Sequence, residues 1–178
     1  AKANTNGVIV DTEPPASTVE IADIYFNETD WSADTHIQGS ASDGHSGLNT
    51  VEVSIQNLNN TNYWNGTDWT GGEEWVTAEG TTSWSYGLSG GEFDDGATYQ
   101  FRSRGIDSVG NVQSEYGINT LIYDTSEPNT VLDILGEFYN VAGWDTAAPI
   151  QGTATDTTSG LVQVEVLIYD VNDDEYWN

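Results

Sequence analysis

Cysteine is absent from this chain of 178 residues, and the basic residues are limited to Lys2, Arg102 and Arg104. Without cysteine there is no disulfide framework and no thiolate ligand for zinc, and the two histidines are the only ring-nitrogen ligands. Twenty-nine Asp and Glu residues give a formal net charge of −26. A surface of this charge repels nucleic acid and anionic membranes, so we expect neither as a partner.

Long apolar runs and catalytic motifs are also missing. The opening AKANTNGV lacks the apolar centre of a signal peptide, and no stretch approaches the roughly 18 apolar residues of a membrane span, so we expect no membrane insertion in this segment. The chain has no Gly-rich phosphate loop, serine nucleophile elbow or zinc-ligand spacing, which predicts that it is not an enzyme. Aromatic residues make up 11%, too many for a disordered acidic tail, so the chain should fold.

The most informative feature that is present is an internal repeat. Residues 37–65 recur without a gap as residues 150–178, and sixteen of these 29 positions are identical. The flanks keep the same offset of 113 positions, because Asp11-Thr12 recurs as Asp124-Thr125. This pattern predicts a window cut from a tandem array of domain-sized repeats.

The phase of the repeat predicts the domain boundaries. Asn6 and Ile9 match Asn119 and Ile122, so we interpret residues 1–11 as the last strand of a preceding repeat. Residues 12–125 then form one complete domain, and residues 126–178 form the N-terminal half of the next repeat. That half lacks the later strands of the complete domain, so we expect it not to fold alone.

The hydrophobic period within the unit is two, as in strands with one buried face. Val51, Val53 and Ile55 alternate with polar residues, and turn residues such as Asn65-Gly66 recur at short intervals. About seven short strands in a domain of this length predict an all-β, antiparallel β-sandwich. The predicted strands are 17–26, 35–41, 49–56, a hairpin at 62–70, 81–88, 97–106 and 112–123.

Several segments together resemble the immunoglobulin-like (Ig-like) repeats of large bacterial and archaeal surface proteins. They are DTEPP, GSASDGHSGLNTVEVSI, YWNGTDW, DDGATYQFRSRGIDSVGN and DTSEP, in this order. The resemblance implies Ig-like β-sandwiches in tandem, in a stalk, adhesin or fibre that is frequently stiffened by calcium at domain junctions. It identifies no ligand, because one sandwich fold hosts many functions.

Acidic residues that are distant in the sequence converge in this topology. In an Ig-type sandwich three segments lie at one pole, where one repeat meets the next. They are the N-terminal linker, the loop between the predicted strands 35–41 and 49–56 (the B–C loop), and the loop between 97–106 and 112–123 (the F–G loop). The carboxylates there are Asp11, Glu13, Asp43 and Asp107, and Asp124, Glu127 and Asp156 would regenerate most of the set in the next copy. Clustered carboxylates repel one another unless a cation lies among them, and calcium, which takes six to eight oxygen ligands, fits best. The alternative is that these aspartates only form turns and cap strand ends.

The seven tryptophans suggest two different roles. Most aromatic residues of a sandwich belong to the core or its rim, which we expect for Trp31, Trp84 and Trp144. The residues around the Asn65-Gly66 turn differ, because aromatic side chains on a hairpin could form a platform for sugar rings or could simply stack across the strands. These residues are Tyr63, Trp64, Trp69 and Trp75.

Two smaller sets of polar residues carry weaker signals. Sequons begin at Asn27, Asn59 and Asn65 in predicted loops or turns, where a secreted protein could be glycosylated. Chance also explains sequons in a chain rich in Asn and Thr. Arg102 and Arg104 share one face of a predicted strand, and we expect them to pair with acids on the sheet.

These features predict a structural or adhesive Ig-like repeat in a stalk or extracellular filament of a cell-surface protein. Its partners would be neighbouring copies of the repeat, in a homopolymer or a long multidomain chain, and it could also bind a glycan or another surface ligand. The alternative is an accessory carbohydrate-binding module of a secreted hydrolase, which would use the aromatic residues of the hairpin.

Overall fold

The structure is a computed structural model that describes residues 10–31, 37–133 and 150–177. Its contacts divide the chain into unit 1, Ala1–Thr125, and unit 2, Ser126–Asn178, and each unit is described by itself. Among the described residues the regular structure is β, apart from one 3-10 turn at Gly90–Glu92, and there is no α-helix. The prediction of an all-β fold is confirmed. The strand predicted for residues 1–11 lies outside the described residues except for its last two positions, and Trp144 also lies outside them.

Unit 1 contains eleven strands in its described part. They are β1 (Ala16–Ser17), β2 (Tyr25–Phe26), β3 (Ile37–Ser42), β4 (Leu48–Asn57), β5 (Tyr63–Trp64), β6 (Trp69–Thr70), β7 (Val76–Thr77), β8 (Glu79–Gly80), β9 (Ser83–Tyr86), β10 (Thr98–Asp107) and β11 (Gly117–Tyr123).

The strands of unit 1 form two sheets. The first sheet has the order β1-β3-β9-β8, and the second has the order β2-β11-β10-β4-β5-β6, with β7 also paired to β4. Neighbours are antiparallel except for β2, which runs parallel to β11. One hydrophobic cluster takes residues from both sheets, including Ile37 and Trp84 of the first and Val53 and Phe101 of the second.

The first predicted strand, 17–26, was wrong as a single antiparallel element. The structure divides it into β1, which pairs antiparallel with β3, and β2, which pairs parallel with β11 in the other sheet. The division lets two apolar side chains reach the core from different sheets, because Val19 and Phe26 are both buried. An alternation pattern marks which side chains are buried but does not show that the chain changes sheets between them.

The strand predicted at 112–123 begins at Gly117, five residues after its predicted start. The side chain of Gln113 occupies the place of a strand partner, since its Oε1 accepts the Gly105 N–H (3.0 Å) and the Ser17 hydroxyl (2.8 Å). Ser17 also lies 2.8 Å from the Ser103 hydroxyl. This buried polar group links β1 of the first sheet to β10 of the second, and β11 starts only at Gly117.

Strand β10 supplies the longest continuous part of the core. Every second residue from Tyr99 to Asp107 is buried, while the residues between them are partly exposed. Tyr99 and Phe101 are fully enclosed, and each such side chain contributes about 1.5–3 kcal/mol relative to an exposed one. The predicted core positions of Trp31 and Trp84 are confirmed, since they are 5% and 2% exposed.

Unit 2 contains two short antiparallel pairs among its described residues. They are β12 (Asn129–Asp133) with β13 (Gln151–Thr155), and β14 (Tyr169–Asp170) with β15 (Glu175–Tyr176). The two pairs repeat the registers of unit 1 at an offset of 113, because Ala16↔Ser42 and Gln56↔Tyr63 become Asn129↔Thr155 and Tyr169↔Tyr176.

The equivalent of β4 in unit 2 behaves differently from β4 itself. Residues 161–168 are not in a strand, although their VEV pattern matches that of residues 51–53. Val164 and Val166 are 57% and 60% exposed, whereas Val51 and Val53 are fully buried. In unit 1 the strand β4 pairs along its length with β10, and the described part of unit 2 has no strand in that place.

Gly39 provides a test of the first sheet. A methyl group at this position would overlap the Thr18 carbonyl oxygen and the ring of Trp84, which lies across the strand pair. We expect Gly39→Ala to destabilise unit 1 by about 2–3 kcal/mol, measured as a shift of the urea denaturation curve followed by tryptophan fluorescence. Gly44→Ala is the matched control, since a methyl group there meets nothing within 4 Å. Equal curves for the two variants would contradict the packing described for β3 and β9.

Candidate metal centre

Three aspartates from distant parts of the sequence meet at one end of unit 1. Asp11 lies in the segment that leads into β1, Asp43 follows β3 directly, and Asp107 is the last residue of β10. One carboxylate oxygen of each lies within 4.8 Å of the others. The structure therefore brings together three of the residues expected to hold a cation.

Asp107 is the best enclosed member of this acidic group, with an exposure of 1%. Its Oδ1 accepts the N–H groups of Val109 (3.0 Å) and Asn111 (2.7 Å), and its Oδ2 accepts the side-chain amide of Asn111 (2.6 Å). Burial raises the pKa of this carboxyl, but the hydrogen bonds outweigh burial, so its pKa lies below the ordinary value of 3.8. The side chain is therefore ionised at neutral pH.

Asp11 is held by two backbone groups. Its Oδ1 accepts the Glu13 N–H (3.1 Å) and its Oδ2 accepts the Ser46 N–H (2.9 Å). The nearby Ser46 hydroxyl, then the Glu13 N–H, lower the pKa of Asp11 below its ordinary value. The Ser46 Oγ is enclosed and has no hydrogen-bond partner among the described residues, so it acts on the carboxylates as a nearby dipole.

Asp43 caps its own loop. Its Oδ1 accepts the N–H groups of His45 (3.0 Å) and Gly47 (2.7 Å), and Gly47 adopts a φ of +79° that favours glycine. Its Oδ2 accepts no hydrogen bond from the described residues, which leaves this oxygen available to a ligand. Asp43 thus caps its loop through Oδ1 and offers Oδ2 as a metal ligand.

Glu13 lies beside the acidic group but does not join it. Its carboxylate is 3.7 Å from the Nδ1 of His45, and both side chains are largely exposed. Its backbone carbonyl accepts a weak hydrogen bond from Asn111 Nδ2 (3.5 Å), as does the carbonyl of Asp11 (3.3 Å). Asn111 therefore connects the entering segment to the end of β10.

The equivalent residues of the next copy divide between the two units. Asp124 belongs to unit 1 and is buried, while Glu127 is exposed and belongs to unit 2. In unit 2 the Oδ1 of Asp156 accepts the N–H groups of Thr158 (3.1 Å) and Gly160 (2.8 Å), as Asp43 does in its loop. A metal site that uses these three residues together stays a prediction.

The aromatic residues of the hairpin do not form one platform. Trp64 is 5% exposed and donates its indole N–H to the Tyr86 hydroxyl (2.9 Å). Trp69 packs on the core against Trp64 and Tyr99, with ring centroids 5.6 and 5.4 Å apart. Trp64 is therefore a core residue and the partly buried Trp69 packs against the core, since the alternation along β5 and β6 turns both indoles away from Tyr63.

The outer face of the second sheet carries Tyr63 and Trp75 together with the two arginines. Arg104 makes a close ion pair with Glu52 (2.7 Å) and lies 4.1 Å from the centroid of the Trp75 ring. Arg102 pairs with Glu73 (2.9 Å). The predicted pairing of both arginines with acids is confirmed, and the arginine on Trp75 covers part of the surface that a sugar would need.

The three sequon asparagines are all exposed. The Oδ1 of Asn27 accepts the Asp30 N–H (2.8 Å), that of Asn59 accepts the Thr98 N–H (3.0 Å), and that of Asn65 accepts the Thr67 N–H (2.9 Å). In each case the carbonyl oxygen holds a turn or loop, so the accessible amide nitrogen stays a candidate for glycosylation.

Ser46 and Asn111 are the residues that the sequence did not single out. Asn111 contacts two members of the acidic group through its side chain, and Ser46 contacts Asp11 through its backbone. The sequence offers only a weak signal for Asn111, which follows Asp107 at the spacing of a turn. Serine in an Asp-rich loop offers none.

Compared with known proteins, the chain matches no family model, no curated protein and no solved structure. Within the described ranges of the chain, no helix is long and apolar enough to cross a membrane.

The pKa shifts give the acidic group a predictable dependence on pH. Because the folded pKa values of Asp11 and Asp107 lie below 3.8, the stability that these groups contribute is present above that pH and is lost as the pH falls through the folded values. We expect Asp107→Asn to cost stability at neutral pH and to cost progressively less as the pH falls below 3.8, as measured by urea denaturation across the acid range. Asp68→Asn removes the same charge from an exposed turn and is the control. A cost for Asp107→Asn that does not change with pH would contradict the assignment.

Proposed function

We propose that unit 1 is an Ig-like β-sandwich of a structural or adhesive protein, one member of a tandem array in a cell-surface stalk or extracellular filament. The strand order carries this proposal. The order β1-β3-β9-β8 corresponds to A-B-E-D of an Ig-type fold, and β11-β10-β4-β5-β6 corresponds to G-F-C-C′-C″. The short strand β2 adds a parallel segment beside the last strand.

The arrangement of unit 2 supports the tandem repeat. Its strand pairs keep the registers of unit 1 at the offset of the sequence repeat. Residues with a positive φ also recur at this offset. Gly160 has a φ of +81° where Gly47 has +79°, and Asp174 has a positive φ where Thr61 has one. Repeated units of this kind serve reach and assembly, which supports a mechanical role and no catalytic one.

Calcium is the cation that the acidic group fits best. The group offers three carboxylates, and the Asn111 amide that donates to Asp107 also donates to the carbonyl oxygens of Asp11 and Glu13. Such an all-oxygen donor set matches the preference of Ca²⁺, and neither a thiolate nor a histidine is among the members of the group. A bound ion would fix the segment that leads into β1 against the ends of β3 and β10.

The calcium proposal can be tested on the chain itself. A ligand that binds only the folded state stabilises it by about 2.7 kcal/mol at a hundredfold excess over Kd. We therefore expect a higher melting temperature in calcium than in chelator, measured by calorimetry at constant ionic strength. Asp43→Asn and Asp107→Asn should each reduce this difference, because each removes a charged ligand.

Two comparisons make the calcium experiment decisive. Asp68→Asn should leave the calcium effect unchanged, since Asp68 lies on the exposed turn between β5 and β6. Asp43→Asn keeps an oxygen that can cap its loop, so its effect separates metal binding from turn formation. Equal melting temperatures of the unmodified chain in calcium and in chelator would leave the three aspartates as turn residues.

Assembly through neighbouring copies should depend on ionic conditions. Side-by-side contact must overcome the repulsion between chains of charge −26, and salt at 1 M shortens the range of that repulsion to about 3 Å. We expect light scattering by concentrated protein to rise with salt or with divalent cations. Scattering that stays flat from low to molar salt, with and without calcium, would count against lateral assembly.

A further inference from the structure

Unit 2 presents an apolar groove on its own surface. The groove has a volume of about 350 Å³, and its lining includes Val131, Ile150, Ala154, Val164 and Val166. Exposed apolar side chains continue along the same segment, with Leu167 at 75% and Ile168 at 43%. Contiguous exposed apolar surface in a chain of such high charge indicates a site for a partner.

The equivalent residues of unit 1 show what covers such a surface. Ile150, Val164 and Val166 correspond to Ile37, Val51 and Val53, each of which is fully buried. In unit 1 the strand β4 pairs with β10 from Asn57 to Leu48, and Tyr99 and Phe101 of β10 join its side chains in the core. The groove of unit 2 is thus complementary to a strand of the β10 kind.

Charge complementarity also favours a strand of the β10 kind. Glu165 lines the groove and corresponds to Glu52, which holds Arg104 of β10 at 2.7 Å on the directly opposed position. Glu165 contacts only Gln163 among the described residues, through a hydrogen bond of 2.9 Å. A second copy of unit 2 is a poor occupant, because residues 126–178 contain ten acidic residues and no Lys or Arg.

We propose that this groove is a docking site for an extended strand with alternating aromatic residues and an arginine opposite Glu165, the pattern Tyr-x-Phe-Arg-x-Arg of β10. The strand would add antiparallel to residues 161–168 and convert them into a strand equivalent to β4. The inference rests on the repeat in the proposed function but does not need the calcium site.

Disulfide trapping can test both the site and its register, since the chain contains no cysteine. The probe is a synthetic peptide of residues 97–123, which forms β10 and β11 in unit 1, and the target is the full chain in chelator. In unit 1 Ser103 lies opposite Val53, so the peptide with Ser103→Cys should trap the chain with Val166→Cys. Val171→Cys is the control, since Val171 is 77% exposed but lies outside the groove.

The expected ion pair between Arg104 of the peptide and Glu165 of the chain provides a second measurement. We expect Arg104→Gln in the peptide to weaken binding about five- to tenfold by fluorescence anisotropy, and to have little effect when the chain carries Glu165→Gln. If the shorter peptide does not bind, a longer peptide of residues 81–123, which adds β9, is used as the probe. No trapping at Val166→Cys with either peptide, or equal trapping at Val171→Cys, would overturn the docking site. Failure of calcium binding alone would leave these results unchanged, so the two proposals are separable.

Discussion

Strand β10 is the element on which the rest of unit 1 depends. Its inner face places Tyr99 and Phe101 in the core, and its outer face carries both arginines of the second sheet. It pairs with β4 on one side and with β11 on the other, and it ends at Asp107 in the acidic group. One strand therefore contributes both to the core and to the candidate metal centre.

The same strand explains how a protein of this charge keeps a compact sheet. Each arginine is paired with a glutamate of a neighbouring segment and lies over aromatic rings, so the few positive charges screen acids within the sheet. At the end of the strand no arginine is present in the acidic group, and backbone N–H groups bind the carboxylates instead. These dipoles favour the ionised forms of Asp11 and Asp107 but add no positive charge, which is the physical reason to look for a cation there.

Much of this architecture is present in the sequence as local pattern. Strands β3, β4, β9 and β10 lie where alternation predicts them. The topology of the proposed sandwich also predicts that Asp11, Asp43 and Asp107 lie at one pole, and their carboxylates do lie together. The division between β1 and β2 was not predictable, because both halves share one alternation pattern and only tertiary pairing separates them. The contacts of Asn111 with Asp11 and Glu13 were hidden for a similar reason, since they join residues about one hundred positions apart.

The two copies of the VEV segment show what alternation does and does not determine. Residues 51–53 and 164–166 are identical, yet the first are the centre of a ten-residue strand and the second are exposed outside any strand. The short pairs around them form in both units with the same register, because turns and adjacent segments specify them. A central strand needs a partner on its open edge and a facing sheet for its apolar side chains. Local sequence thus sets which residues would face the core, and the presence of a β10 equivalent decides whether a core exists.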